Sequence, residues 1–262
     1  MDLGLSGKVA VVAAASKGLG KATAMQLAAE GASVMIVSRS EEVLARTASE
    51  IRERTGLPAE YCVADLMSRE DIRGAVSRAA ERFGGLDVLI NNSGGPPAGT
   101  FDDFEDDDWR HAFELNLLSL IRLVRESLPL MRSRGGGRIV NIASSSIKQP
   151  LENLILSNTF RTAIVGLSKS LSLELAAEGI LLNTLGPGRI ATDRVAQMDG
   201  ARAESLGIPV EEVRGRSEAR IPLGRYGEPE EFARVATFLA SPANTYVTGQ
   251  AFLVDGGMVR AL

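Results

Sequence analysis

Short apolar runs alternate with amphipathic stretches along most of this chain. The first run, Val9–Ala13, is too brief for a helix and has turn residues on both sides, so it predicts a buried strand. A small-residue loop and an alanine-rich segment that stops at Gly31 follow, which predicts a strand, a loop and a helix. Further strands are predicted in the same way over Ser33–Val37, Ala59–Ala64, Leu86–Ile90, Gly135–Ala143 with its turn, Ile180–Leu185 and Ala251–Val254.

Helical patterns fill the intervals between these strands. They run over Glu41–Thr55, from the N-cap Ser68 to Phe83, from the acidic run Asp102–Asp108 to Met131, over Leu154–Glu178 and over Glu228–Leu239. This alternation, without linker or repeat, predicts one domain over residues 1–262. The domain is a doubly wound parallel sheet of about seven strands with helices on both faces. The segment Arg194–Gly224 lacks the periodicity and alternates its charges, which favours a mobile substrate lid.

Composition excludes several classes of function. Apolar residues make up 45% of the chain, and the net charge of −4 argues against a nucleic-acid surface. The single Cys62 excludes an intramolecular disulfide, and no metal-ligand spacing surrounds it. No apolar run approaches the roughly 18 residues of a membrane span, and the first residues lack a signal-peptide pattern. We therefore expect a cytoplasmic protein with no metal, no membrane contact and no nucleic acid.

Polar residues and glycines come directly after the predicted strands. Ligands of doubly wound sheets bind at the carboxyl ends of the strands, so one crevice is expected to collect these residues. The loop before the first helix contains Gly18 and Gly20, and free N–H groups at a helix start attract phosphate. Ala14 stands where a first glycine is expected. The residues that follow strands are Lys17, Arg39, Asp65, Asn92, Ser144 and Pro187.

The end of the second predicted strand carries a cation and no acid. An acidic residue there accepts a hydrogen bond from the free ribose 2′-hydroxyl of NAD, whereas the 2′-phosphate of NADP needs cations. Arg39 lies at this position, and Lys17 in the phosphate loop is within reach of the same group. The sequence therefore favours NADP(H) over NAD(H). A solvated loop residue is the alternative interpretation of Arg39.

Two polar residues of the predicted helix ending at Met131 deserve separate interpretations. His111, the only histidine, is interpreted as a helix-surface residue. Asn116 lies among leucines, and a buried asparagine must be hydrogen-bonded. It therefore either ties the helix together or holds a water.

Over nearly its whole length the chain resembles the short-chain dehydrogenase/reductase family, and most of all its reductases of 3-oxoacyl thioesters and related sugar or alcohol dehydrogenases. The resemblance implies a single Rossmann domain, oxidoreductase activity on a small-molecule substrate, and a homotetramer or homodimer. The matching motifs are Ser16–Gly20, Asp65–Leu66, Asn91–Gly94, Asn116, Gly137–Ser144, Pro187–Gly188 with Thr192, and Val254–Gly257.

The resemblance also implies which residues contact the cofactor. They form one group for each part of the dinucleotide. The groups are Ser16, Lys17, Gly18, Leu19 and Gly20 at the pyrophosphate and adenosine ribose, Asp65 and Leu66 at the adenine, Asn92 and Gly94 at the adenine-side ribose, and Pro187, Gly188, Ile190 and Thr192 at the nicotinamide.

The catalytic motif departs from the family pattern. The resemblance implies that Ser144 donates a hydrogen bond to the substrate carbonyl and that Asn116 holds a relay water. The family's Tyr-x-x-x-Lys pair, however, falls on Ser157 and Arg161. A serine hydroxyl is too weak an acid to protonate the carbonyl oxygen, and Arg161 stays protonated at neutral pH. Arg161 is still expected to bind the nicotinamide ribose or to polarise the carbonyl. Losing positioned acid–base help costs about 10²–10⁴-fold in rate.

Three hypotheses follow for the function. The preferred one is an NADP(H)-dependent oxidoreductase with an atypical proton route, its site lined by Ser144, Ser157, Arg161 and Asn116. The second is a catalytically degenerate member that binds nucleotide as a sensor or partner subunit. The third is epimerisation or dehydration on the same fold. Arginines of the predicted lid either suit an acidic substrate or are solvated helix faces: Arg194, Arg202, Arg214, Arg216 and Arg220.

Overall fold

Seven parallel strands form one sheet at the centre of the computed structural model, which describes residues 1–261. Their order across the sheet is β3-β2-β1-β4-β5-β6-β7, and every neighbouring pair is parallel. The order reverses between β1 and β4, and such a reversal creates a crevice beyond the carboxyl ends of the strands. The strands are β1 (Val9–Ala13), β2 (Ser33–Ser38), β3 (Ala59–Val63), β4 (Val88–Asn91), β5 (Gly137–Ile142), β6 (Ile180–Pro187) and β7 (Ala251–Val254).

Helices cover both faces of the sheet. They are α1 (Gly18–Ala29), α2 (Glu41–Thr55), α3 (Arg69–Phe83), α4 (Asp106–Phe113), α5 (Ser119–Ser133), α6 (Ile155–Leu175), α7 (Asp193–Leu206), α8 (Val210–Glu218) and α9 (Pro229–Leu239). Within residues 1–261, none of them combines the length and apolar character that a membrane crossing needs.

The core consists of two layers, one on each side of the sheet. Successive side chains of a strand point to opposite faces. Val12 accordingly packs in the layer that contains Leu27 of α1 and Phe232 of α9. Its neighbour Val11 packs in the other layer, with Leu123 of α5. Because both faces are buried, the strands are continuous apolar runs, and this is why the sequence pattern located them.

The predicted doubly wound sheet is confirmed, but one helix differs from its prediction. The helix expected up to Met131 is divided into α4 and α5 by a wide π-type turn, Glu114–Leu118. Asn116 lies in this turn and is buried. A turn of this type inserts one residue without changing the apolar pattern much, so periodicity does not reveal it.

The segment Arg194–Gly224 contains two helices, α7 and α8, where the sequence showed no helical periodicity. Helix α7 begins after Thr192, whose Oγ1 accepts the N–H of Val195 at 3.4 Å. Its apolar burial is limited to Ala203, and that of α8 to Val213. With so few buried positions the helical period is weak, although local capping and packing still form both helices.

Candidate active site

The residues expected to share one crevice lie at one edge of the sheet. Each comes within a few positions of the carboxyl end of a strand, and these ends meet at the same edge because the strands are parallel. The set consists of Lys17 after β1, Arg39 after β2, Asp65 after β3, Asn92 after β4, Ser144 after β5, and Gly188 after β6, where Pro187 is the last strand residue.

A tight cradle lies between β1 and α1. The backbone of Ala14 is left-handed, with φ of +47°, and that of Gly18 is left-handed at +58°. A Cβ on Gly20 would lie 2.4 Å from the carbonyl oxygen of Ala14, so only glycine fits there. Ala14 keeps a conformation that favours glycine, at a cost of about 1–2 kcal/mol. The loop therefore retains its shape although the expected first glycine is an alanine.

This cradle fits a phosphorylated dinucleotide. No side chain of residues 1–261 caps the start of α1, so its first N–H groups are available to an anion. The Ser16 hydroxyl donates to Ser38 Oγ at 3.1 Å, which joins the loop to the end of β2. Lys17 and Arg39 are both exposed on this side. Two cations and a row of N–H groups suit a pyrophosphate and a ribose phosphate.

Two residues that are predicted to contact the cofactor, Asn92 and Asp65, form hydrogen bonds with the backbone. Asn92 donates from Nδ2 to the carbonyl oxygen of Ala14 at 3.3 Å. Asp65 accepts the N–H of Met67 on Oδ1 at 2.9 Å, and it shapes the turn that leads to α3. Leu66 in the same turn is buried. The side chain of Asn92 thus supports the phosphate loop from the neighbouring strand β4.

The guanidinium of Arg161 is buried beneath the loop that follows β4. Its Nη1 donates to the carbonyl oxygen of Ile142 at 3.0 Å. Its Nη2 contacts the carbonyl oxygens of Ser93 and Gly94 at 3.3 and 3.4 Å. No carboxylate of the described chain forms an ion pair with it. Arg161 therefore ties the end of β5 to the loop that carries Gly94.

Burial lowers the pKa of Arg161 to about 10, because its surroundings disfavour the charged form. The group is still protonated at neutral pH, so it does not act as a general base there, and its N–H groups donate to backbone carbonyl oxygens. What it provides is a fixed positive charge under the site, without a carboxylate to neutralise it.

Asn116 converges on the same loop. Its Nδ2 donates to Ser93 Oγ at 3.0 Å and to the carbonyl oxygen of Gly94 at 2.6 Å. Asn116 thus ties the wide turn between α4 and α5 to the loop after β4, rather than to its own helix. Its Oδ1 is buried and has no partner within residues 1–261, which marks a place for a donor such as water.

A small polar cavity lies against Arg161. It is lined by Asn91, Ser93 and Ser119 among others, and it has room for about one water molecule. The Oδ1 of Asn91 also has no partner among the residues described. The unpartnered amide oxygen of Asn91, in a lining that also contains Arg161, makes this a suitable place for an ordered water.

The two serines of the site lie after β5 and at the start of α6. Ser144 Oγ accepts the N–H of Ser146 at 3.1 Å, which leaves its hydroxyl hydrogen free to donate to a ligand. Ser157 lies near the start of α6, one helical turn before Arg161 and on the same helix face. Both are half-buried. The site therefore offers a hydroxyl donor, a fixed cation and places for water.

The segment after β6 closes the crevice. The N–H of Gly188 donates to the carbonyl oxygen of Val254 at 2.9 Å, and a Cβ on Gly188 would lie 2.6 Å from Cβ of Asp255. The closing motif at the end of the chain thus holds Gly188 in place. Ile190 is buried, and Thr192 caps α7.

The arginines of the predicted lid divide into two kinds. Arg214 and Arg216 pair with Glu218 and Glu212 on their own helix, as expected for a solvated face. Arg194 instead donates from Nη2 to the carbonyl oxygen of Pro96 at 3.1 Å. The first turn of α7 is thereby joined to the loop after β4, across the crevice.

A buried polar cluster at the middle of α7 was missed by the sequence reasoning. Tyr226 donates to Asp199 Oδ2 at 2.8 Å, and Arg189 donates to Asp199 Oδ1 at 2.7 Å. Burial raises the pKa of the Tyr226 hydroxyl. Ser93 was also not singled out, although it lies inside the motif after β4. The only sequence signal for these residues is their polar character close to recognised motifs. Their pairing depends on the tertiary structure, which the sequence pattern does not show.

Comparisons with known proteins agree on one family. The family described as enoyl-(acyl carrier protein) reductase matches residues 13–259. The 3-oxoacyl-(acyl-carrier-protein) reductase of Aquifex aeolicus is 34% identical over 258 residues, 98% of this chain and 100% of that protein. The L-sorbose reductase of Gluconobacter frateurii, solved with NADPH and L-sorbose, has a TM-score of 0.95 and 33% identity over 100% of both chains. The actinorhodin polyketide ketoreductase with NADPH has a TM-score of 0.92 and 36% identity, covering 96% of this chain and 97% of that one.

Proposed function

Because this chain belongs to the short-chain dehydrogenase/reductase family, we propose that it is an NADP(H)-dependent oxidoreductase that interconverts a carbonyl and an alcohol. The observation that carries the proposal is the cradle at the start of α1, with Lys17 and Arg39 exposed beside it. Two relatives solved with NADPH support the choice of cofactor. The relative from Aquifex aeolicus supports a 3-oxoacyl type of substrate.

In this proposal each residue of the site has a physical role. NADPH, when bound, would supply a hydride to the carbonyl carbon. Ser144 donates a hydrogen bond to the carbonyl oxygen as negative charge develops on it. The charge of Arg161, held behind the loop with Gly94, favours the same negative charge. The cluster of Arg161 and Asn116 keeps this loop in place against the cofactor.

The proton for the oxygen comes from water in this proposal. The Ser157 hydroxyl is a very weak acid, and the N–H groups of Arg161 are held by the carbonyl oxygens of Ile142, Ser93 and Gly94, so neither side chain is assigned the proton. The cavity beside Arg161 and the unpartnered Oδ1 of Asn116 support a water on this side of the site. The water relays to the oxygen a proton that is taken up from solvent, so that one solvent proton is consumed per carbonyl reduced and no hydroxide is left in the site. Turnover is then expected to be roughly 10²–10⁴-fold slower than with a positioned acid.

A degenerate, nucleotide-binding role is the second candidate. The observation that favours it is the hydrogen bonding of Arg161, whose fork is occupied by backbone carbonyl oxygens. A side chain used in this way stabilises the loop whether or not chemistry takes place. A sensor or a partner subunit needs the cradle and the loop, but it does not need the proton route.

Titration with NADPH and NADH, followed by nicotinamide fluorescence, tests the proposal first. Tight NADPH binding with weak NADH binding is the expected result. In the Lys17→Ala and Arg39→Ala variants the difference between the NADPH and NADH dissociation constants should become smaller. Arg46→Ala, at an exposed position of α2, should leave that difference unchanged. If neither cofactor binds, the oxidoreductase proposal is wrong.

A carbonyl panel then separates the two candidates. Steady turnover that Ser144→Ala abolishes would establish catalysis and exclude the degenerate role. NADPH binding without turnover of any carbonyl above background would favour the sensor or partner subunit.

A further inference from the structure

A second crevice, of about 240 Å³, opens at the opposite edge of the sheet. It is formed where strands begin, with Lys8 before β1, Asp87 before β4 and Gly179 before β6. Arg134, directly after α5, and Arg138, the second residue of β5, also line the crevice. Strand β1 has five residues, so roughly 15 Å separates this edge from the cofactor cradle.

One carboxylate lines this crevice, and it is already fully engaged. Asp87 is buried, and it accepts from Lys8 Nζ at 3.3 Å and from Arg134 Nη2 at 3.1 Å. It also accepts the N–H of Val9 at 3.0 Å. Lys8, Arg134 and Arg138 together bring three positive charges to the lining. The lining therefore carries an excess of two positive charges.

Arg138 has no carboxylate partner in residues 1–261. Its guanidinium is half-buried and donates to the carbonyl oxygens of Asn244, Gly137 and Gly179, at 3.0, 2.9 and 3.2 Å. Burial lowers the pKa of Arg138. A partly desolvated cation without a counter-ion is unfavourable, and a bound anion would relieve the cost.

We propose that this crevice binds a small dianion of the phosphate class, either inorganic phosphate or the phosphate of a monoester. The excess of two positive charges matches such a dianion. Arg134 donates from Nε and Nη2 to Asp87, and Arg138 donates from Nε and Nη1 to backbone carbonyl oxygens, so within residues 1–261 Nη1 of Arg134 and Nη2 of Arg138 are left to donate to phosphate oxygens. Lys8 adds a point charge. The volume is smaller than the roughly 300–1,000 Å³ of sites for drug-sized ligands, so a small anion fits better than a large one. The inference does not depend on the proposed oxidoreductase activity.

Isothermal titration calorimetry with inorganic phosphate, at low ionic strength, tests this assignment. The Arg138→Gln and Lys8→Gln variants should each bind phosphate about tenfold more weakly than the unmodified protein. Lys17→Ala measures separately any phosphate that binds at the cofactor cradle, and the binding assigned to this crevice is the part that Lys17→Ala retains. Arg132→Gln is the matched control, since Arg132 is an exposed neighbour that pairs with Glu178 and does not line the crevice.

Melting temperatures without phosphate show which variants are folded. If Arg138→Gln does not fold, the phosphate affinity of Lys8→Gln tests the proposal instead. This variant is expected to fold, because Asp87 still accepts hydrogen bonds from Arg134 and from the N–H of Val9. Absence of phosphate binding to the unmodified protein at millimolar concentration would overturn the proposal. Phosphate binding that Lys17→Ala abolishes and that Arg138→Gln and Lys8→Gln leave intact would place the ion in the cofactor cradle and would also overturn the proposal. Methyl phosphate in a parallel titration identifies the source, since tighter binding of methyl phosphate points to a monoester and tighter binding of inorganic phosphate to the free ion.

Discussion

Arg161 stands where the family motif has a lysine, and its side chain reaches backbone atoms of two strand ends. A planar guanidinium donates in several directions at once, whereas an ammonium is a compact point charge. Arg161 uses this property to contact the carbonyl oxygens of Ile142, Ser93 and Gly94. The substitution therefore retains a cation in the site and changes how that cation is held.

The charge of Arg161 should make the site prefer NADPH to NADP⁺. The oxidised nicotinamide ring is positive and the reduced ring is neutral, so a nearby cation disfavours only the oxidised form. We expect Arg161→Met to reduce the ratio of the NADP⁺ to the NADPH dissociation constant by on the order of tenfold. Arg161→Lys, which keeps the charge, should preserve the ratio even if both constants rise. An equal ratio in all three proteins, measured by fluorescence titration, would contradict this role.

The same preference should depend on pH in a defined direction. Burial lowers the pKa of Arg161 to about 10, so the charge is constant from pH 6 to about pH 9. The ratio of the two dissociation constants should therefore stay level over that range and fall as the pH rises through 10. In Arg161→Met it should show no such fall. A decrease centred near pH 7 would assign the effect to another group.

Gly20 is required by contact and not by turn geometry alone. In Gly20→Ala the new Cβ would meet the carbonyl oxygen of Ala14 at 2.4 Å, so the cradle must shift. We expect a loss of about 1–3 kcal/mol in unfolding free energy and weaker NADPH binding. Gly74→Ala in α3 is the matched control, since nothing lies within 4 Å of its Cβ and alanine favours the helix by about 0.5–1 kcal/mol. Denaturant unfolding should thus show a lower unfolding free energy for Gly20→Ala and a higher one for Gly74→Ala than for the unmodified protein.

At the scale of elements, α7 is held at two points. Arg194 contacts the carbonyl oxygen of Pro96 at the N-terminal end of the helix, and Asp199, in the middle of the helix, contacts Tyr226 and Arg189. The contact of Arg194 spans the crevice, whereas the Asp199 cluster lies to one side and is buried. A helix attached in this way is able to open at its N-terminal end while the contacts of Asp199 hold its middle in place.

Removal of the Arg194 contact should therefore speed cofactor release. We expect the NADPH dissociation rate of Arg194→Ala to rise about fivefold, because one ordinary hydrogen bond contributes about 1 kcal/mol. Arg202→Ala on the exposed face of the same helix should leave the rate unchanged. Stopped-flow displacement measures both, and an equal rate in the two variants would mean that α7 does not cover the bound cofactor.

At the scale of the whole molecule, cofactor binding should stabilise the fold by mass action. The cradle is built from β1, α1 and β4 together, so it exists only in the folded state. NADPH at 100 times its dissociation constant should add about 2.7 kcal/mol to the unfolding free energy. For a chain of this size that raises the melting temperature by roughly 5–10 °C. NADH at the same concentration should raise it less, and equal shifts would contradict the NADP(H) preference.

The homotetramer or homodimer and the cytoplasmic location that the sequence suggests stay predictions. Light scattering on the purified protein, with and without NADPH, measures the first of them directly. A monomer under both conditions would show that the assembly expected from the family resemblance does not form.

The sequence by itself determined the architecture of this protein. Apolar runs such as Val9–Ala13 and Ser33–Val37 are local signals, and a sheet buried on both faces makes them continuous. It also placed the polar residues that follow each strand at one edge, because parallel strands share their direction. The sequence pattern did not reveal α7 and α8, because few of their apolar residues are buried. It did not reveal the turn around Asn116 either, because one inserted residue hardly changes the apolar pattern.

Only the tertiary structure decided what the substituted site does with its residues. Arg161 contacts Ile142 and Ser93, which lie 19 and 68 positions away along the chain. Lys8 meets Asp87 across 79 positions at the other edge of the sheet. Contacts over such separations depend on strand order and burial, which no local pattern encodes. For that reason the glycine-containing loop between β1 and α1 could be predicted from motifs, whereas the contacts of the buried Arg161 and the charged crevice at the opposite edge could not.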